Sequence, residues 1–129
     1  MNVVDSSGWI EYLLYGSGAD FFEPVIRNAD ELVVPTISIF EVYRVVLRLK
    51  GRDIAADSVS VMTRGRIIEL DAELATLSAA LAHIEKLSMA DAIILATAQE
   101  FNATIWTQDA DLKRFDNVKF REKKKSSAG

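Results

Sequence analysis

Short β-branched runs alternate with longer segments of helical periodicity along this chain. That alternation confines it to an α/β architecture, a parallel sheet flanked by helices. Strands are predicted at 1–4, 31–35, 66–70, 104–107 and 118–120. After the first, Ser6 and Ser7 are good helix N-caps, and Trp9, Ile10, Leu13 and Leu14 follow with helical spacing. Gly16-Ser17-Gly18 breaks that helix. Further helices are predicted over 20–29, 38–50, 53–64, 71–82 (capped by Asp71), 88–101 and, as a short piece, 110–115. The expected fold is a three-layer α/β/α domain around a mostly parallel sheet of four to five strands.

Two helices carry more apolar residues than one face can hold. The segment 88–101 is apolar on nearly all sides, so it should lie against the sheet and be covered. The segment 38–50 has the same character, which suggests burial by its own domain and by a second surface, a self-association face being one candidate. The 129 residues suit one domain with a real hydrophobic core. Residues 1–120 are read as that domain and 121–129 as a charged, disordered tail. Lys123-Lys124-Lys125 in it could touch RNA, though a solvated tail is the better reading.

The chain has no cysteine, which excludes disulfides, thiolate metal sites and cysteine nucleophiles. Neither a signal peptide nor a run of about 18 uncharged apolar residues is present, so a soluble, cytoplasmic protein is expected. The net charge of −4 argues against a nucleic-acid partner only weakly. Four acids account for all of it.

Those acids are Asp5, Glu41, Asp91 and Asp109. Asp5 and Asp109 close apolar strands, and Glu41 and Asp91 fall in the predicted first turns of the two apolar helices. In an open parallel sheet, strand ends and helix starts converge on one edge where ligands bind. Carboxylates gathered there repel one another unless hard cations hold them, which points to divalent-metal chemistry. Each acid has a purely structural explanation. Ser88-Met89-Ala90-Asp91 and Ser38-Ile39-Phe40-Glu41 fit the capping box, Asp109 could cap a short helix, and Asp5 could end a strand in an Asx-turn. Together these explanations give no reason for four acids on one edge.

Val4-Asp5-Ser6-Ser7, Phe40-Glu41-Val42, the stretch from Ala90-Asp91-Ala92 to Ala98, and Thr107-Gln108-Asp109-Ala110-Asp111-Leu112 resemble the successive acidic motifs of the PIN domain family, in its order and usual spacing. Length and pattern over residues 1–120 are similar to the VapC-like toxins of prokaryotic toxin–antitoxin pairs. Leu112 stands where that family often has an aromatic residue. The resemblance implies a Mg2+- or Mn2+-dependent endoribonuclease that cuts RNA, is restrained by an antitoxin protein and forms a homodimer. It implies Asp5, Asp91 and Asp109 as metal ligands, with motif position favouring Asp109 over Asp111. Glu41 completes the shell or orients the attacking water, Ser6 and Thr107 add supporting hydroxyls, and Asp111 is a supporting acid. Oxygen donors alone suit such ions, which acidify bound water and stabilise charge on a phosphate.

Substrate grip must come from cations. Arg44 and Arg48 follow Glu41 at steps of three and seven, so all three can share a helix face and the arginines are candidate phosphate contacts. Arginines snorkelling over an apolar helix are an equally good reading. Two rivals stand beside the nuclease. A phospho-accepting receiver domain would use Asp5, Asp71, Thr107 and Lys119, but would leave Glu41 and Asp91 idle. A non-cutting PIN-like module would bind RNA or a partner, yet all four acids are present. His83, the sole histidine, is expected to be an ordinary helix residue, and Trp9 and Trp106 to be core.

Overall fold

Successive strand residues point to opposite faces, and here both faces are apolar, as a sheet covered on two sides requires. The computed structural model describes residues 1–123. The tail expected over 121–129 falls mainly on residues 124–129, outside the described residues. Strands β1 (Asn2–Val4), β2 (Leu32–Pro35), β3 (Arg66–Ile68), β4 (Thr104–Thr107) and β5 (Val118–Phe120) form one sheet in the order β3-β2-β1-β4-β5. Every pairing is parallel.

Val3, Val33 and Ile105 face one way and pack on Ile94, Leu95 and Leu112. Val4 and Val34 face the other way, towards Trp9, Phe22, Val42, Val46 and Met62. Helices α1 (Ser6–Leu13), α2 (Ala19–Arg27), α3 (Thr36–Lys50) and α4 (Arg52–Met62) supply that second layer. On the first face, α6 (Met89–Glu100) lies on the strands, and α5 (Ala72–Glu85) packs along it. Every residue of α6 from Asp91 to Ala98 is buried, as its all-round apolar character required. Trp9 is core, Trp106 is only half-buried, and His83 is an exposed residue of α5.

Several boundaries move for local reasons. Helix α1 is capped by Asp5, whose extended backbone ends β1, not by Ser6 or Ser7. Strand β3 stops at Ile68 because its only neighbour, β2, ends at the paired residue Pro35. Helix α5 does start after its Asp71 cap but runs on to Glu85, where Lys86 takes a left-handed conformation. The short helix at 110–115 contracts to a 3-10 turn, Ala110–Leu112, and a second such turn, Ala29–Glu31, leads into β2.

The largest correction concerns α3. It begins at Thr36 behind Pro35, because a proline missing its N–H costs nothing at a helix start. Ser38 is therefore inside the helix, fully buried, with no partner for its hydroxyl. The capping box at Ser38–Glu41 does not form, and Glu41 lies beyond the first turn. The apolar excess of α3 is left open on its outer side, where Phe40 is 59 % and Leu47, seven residues on along the same face, 42 % exposed.

The receiver reading fails on topology. Doubly wound receivers order their strands 2-1-3-4-5, whereas β3 here is an edge strand. Asp71 lines a hollow with Glu73, Leu74, Gln99 and Glu100, at the opposite end of α6 from Asp91. Among the described residues, no helix is long and apolar enough to cross a membrane.

Candidate metal centre

Because all five strands run the same way, their C-terminal ends share one edge. Asp5 follows β1 and Asp109 follows β4, its direct neighbour. Helix α6 runs back into β4, which brings Asp91 in its first turn to the same edge. Sequence separations of about a hundred residues thus collapse to side-chain contact.

Asp5 is 4 % exposed and held from three directions. One carboxylate oxygen accepts the Gly8 amide at 3.0 Å, which is the helix cap. The Ser7 hydroxyl donates across both oxygens at 2.8 and 3.0 Å. The Thr107 hydroxyl donates to the second oxygen at 2.6 Å and accepts the Asp109 amide at 2.8 Å, so one side chain ties Asp5 to Asp109. Gly8 must be glycine here, since a Cβ would lie 2.6 Å from the Phe22 ring and 2.7 Å from Val4. Burial nevertheless holds the Asp5 carboxyl above its ordinary value, outweighing the three hydrogen bonds, with a further push from Asp109.

Asp91, Asp109 and Asp111 form the tightest group, each offering an oxygen within 4.8 Å of the others. Asp91 is 7 % exposed, Asp109 half-buried and Asp111 exposed. Burial first, then a hydrogen bond with Asp109 and repulsion by Asp109 and Asp5, push Asp91 up to about 7, while Ser88 pulls it back. The Ser88 hydroxyl also caps α6 by accepting the Asp91 amide at 3.3 Å. Half of the proposed capping box is therefore real, yet it leaves the Asp91 carboxyl turned against Asp109. Asp109 likewise caps its 3-10 turn through the Asp111 amide at 2.9 Å. None of the ion pairs among the described residues involves these acids.

A compact set of oxygen donors with no protein cation among them fits a hard divalent ion. The structure therefore brings together Asp5, Asp91 and Asp109 as read from the sequence, with Asp111, the further acid of the last motif, at the front. Glu41 is half-buried on α3 and outside the close trio. Arg44 and Arg48 are exposed along the same helix. Of the two hydroxyls expected to support the site, Thr107 does so, but the serine that reaches Asp5 is Ser7, not Ser6. An aspartate that caps a helix faces the residues two and three positions on, which is the signal that could have found it.

A parallel α/β domain with carboxylates massed at its strand ends defines the class. The sequence profile of the PIN domain matches residues 3–118, and the chain belongs to the PIN domain family. No curated protein matches it. Among solved structures, it is similar to a toxin–antitoxin complex from Klebsiella pneumoniae, with 22 % identity and a TM-score of 0.76 over 92 % of this chain and 96 % of that one. It is also similar to VapC20 of Mycobacterium tuberculosis, described as a sarcin-ricin loop cleaving toxin, with 16 % identity and a TM-score of 0.72 over 92 % and 98 %. VapBC2 of Rickettsia felis, bound to a DNA fragment from its promoter, matches with 17 % identity and a TM-score of 0.69 over 93 % and 96 %.

Proposed function

We propose that this chain is a divalent-metal-dependent endoribonuclease, the toxin of a VapBC-type toxin–antitoxin pair, with residues 1–120 as its catalytic unit. The observation that carries the reading is the meeting of Asp91, Asp109 and Asp111 in front of a hydrogen-bonded Asp5, at the ligand-binding edge of a PIN domain. Asp5, Asp91 and Asp109 would hold Mg2+ or Mn2+, with Asp111 as a fourth donor on the solvent side. When bound, such an ion acidifies water and neutralises charge that develops on the phosphate.

The protein's own residues supply positioning. Ser7, Thr107 and the Gly8 amide fix the Asp5 carboxylate before substrate arrives, and that pre-organisation is where most of their effect on rate would lie. Glu41, on α3, would orient the attacking water. Arg44 and Arg48 continue its face outward as phosphate contacts. In Arg44→Ala and Arg48→Ala, the plot of log affinity for single-stranded RNA against log salt should each flatten by roughly 0.7. An unchanged slope in both would remove the arginines from the RNA path.

Support for an antitoxin comes from the relatives solved as toxin–antitoxin complexes. The open apolar pair of Phe40 and Leu47 supports a protein-covered α3, in a homodimer or under the antitoxin. A cytoplasmic location accords with an RNA substrate. The deciding experiment incubates antitoxin-free protein with cellular RNA and Mg2+ or Mn2+. Discrete fragments that vanish on adding EDTA are expected. Intact RNA with both ions would leave a binding-only PIN domain as the better account.

A further inference from the structure

We infer that Arg121, with Lys119 two residues before it along β5, forms a phosphate-binding bank on the β5 side of the carboxylate edge, opposite Arg44 and Arg48. The inference rests on the ribonuclease reading for its ligand, single-stranded RNA, but its geometry stands apart from the carboxylates.

Strand β5 ends next to β4, with Phe120 opposite Thr107. The next residue, Arg121, donates its amide to the Thr107 carbonyl at 3.0 Å. Its guanidinium donates through Nη1 to Gln108 Oε1 at 2.6 Å, and Gln108 immediately precedes Asp109. The guanidinium lies against Gly18, where a Cβ would come within 2.5 Å of Nη1 and 2.7 Å of Cζ and displace it. The Gly18 amide is in turn held by Glu11 Oε1 at 2.7 Å, and a Cβ on Gly16 would strike that same carboxylate. The Gly16-Ser17-Gly18 break thus has a role beyond ending α1.

One guanidinium N–H is committed to Gln108, out of the five an arginine carries. Among the described residues no carboxylate pairs with Arg121, and the side chain is half-exposed. Lys119 Nζ lies 5.0 Å from the centroid of the Trp106 ring, on the same face of the sheet as Gly18. An aromatic face steadies a cation without neutralising it. Lys119 joins no ion pair among the described residues. An RNA strand crossing an edge of massed carboxylates needs cations on its neighbouring phosphates. Such contacts fix register and carry no sequence information.

The test titrates a fluorescein-labelled, mixed-sequence RNA strand into Asp91→Asn protein, which leaves the strand whole, with and without Arg121→Gln or Arg121→Lys. Arg121→Gln should weaken binding about tenfold and flatten the salt slope by roughly 0.7, while Arg121→Lys keeps the slope. In the otherwise unaltered chain, Arg121→Gln should keep the melting temperature and its rise with Mg2+. Undetectable RNA binding, an unchanged slope in Arg121→Gln, or a loss of the Mg2+ response with it would overturn the proposal, the last by making Arg121 a strut for the edge. If the unaltered chain cuts no RNA yet the slope still flattens, the bank stands and the ribonuclease reading falls.

Discussion

Asp91→Asn should slow RNA cleavage by roughly 10³-fold and, at pH 8 without metal, raise the melting temperature. The two effects have one cause. The Asp91 carboxyl is pushed up to about 7 by burial and by Asp109 and Asp5, so at pH 8 it is ionised against its surroundings. Asparagine keeps the shape, removes the charge and can donate to Asp109, as the protonated acid does. Because the cluster opens to solvent through Asp109 and Asp111, screening reduces the relief to roughly 1–3 kcal/mol, or several degrees. The same change deletes an anionic donor from the centre. Losing about 4 kcal/mol of charge stabilisation corresponds to a roughly 10³-fold slower reaction. Calorimetry and cleavage assays on one preparation would check both. A variant that is inactive and also less stable would mean that Asp91 is chiefly a structural cap for α6.

How much of this was legible in the sequence depended on whether neighbours in sequence or in space decide a feature. Helix α6 was, because Ser88 caps it and its unbroken apolar run demands burial whatever surrounds it. The parallel sheet followed from the strand–helix alternation, although the edge place of β3 did not. Asp5, Ser6 and Ser7 are all competent caps, and local chemistry cannot rank them. The choice falls to Asp5 because β1 must end there and Thr107 waits beyond. At α3 the Ser38–Glu41 spacing imitates a capping box, and only the freedom of Pro35 at a helix start shows that the helix begins earlier, at Thr36. Asp111 could be named but not placed in the sequence, since a 3-10 turn and an α-helix aim it differently. Arg121 carried no signal at all. Its meaning comes from the register of β4 with β5 and from a glycine a hundred residues earlier.

Removing the divalent ion should make stability fall as pH rises, the reverse of ordinary acid denaturation. The Asp91 carboxyl titrates near 7 in the folded protein and from an ordinary value of 3.8 when freed. Between those values the folded state holds a proton that the unfolded state has lost, so stability decreases across that window and levels off above it. Asp5, also raised, acts in the same direction. Mg2+ binds the ionised carboxylates and should stabilise by mass action, least near pH 5 and most near pH 8. Melting curves in EDTA and in saturating Mg2+ should therefore diverge with pH by roughly 5 °C or more. In Asp91→Asn both the fall and the divergence should shrink, which isolates this carboxyl from others that titrate in the same range. A Mg2+ shift of equal size at pH 5 and pH 8, unchanged in Asp91→Asn, would place the ion elsewhere on the protein. The three carboxylates would then be a strained edge and not a metal centre.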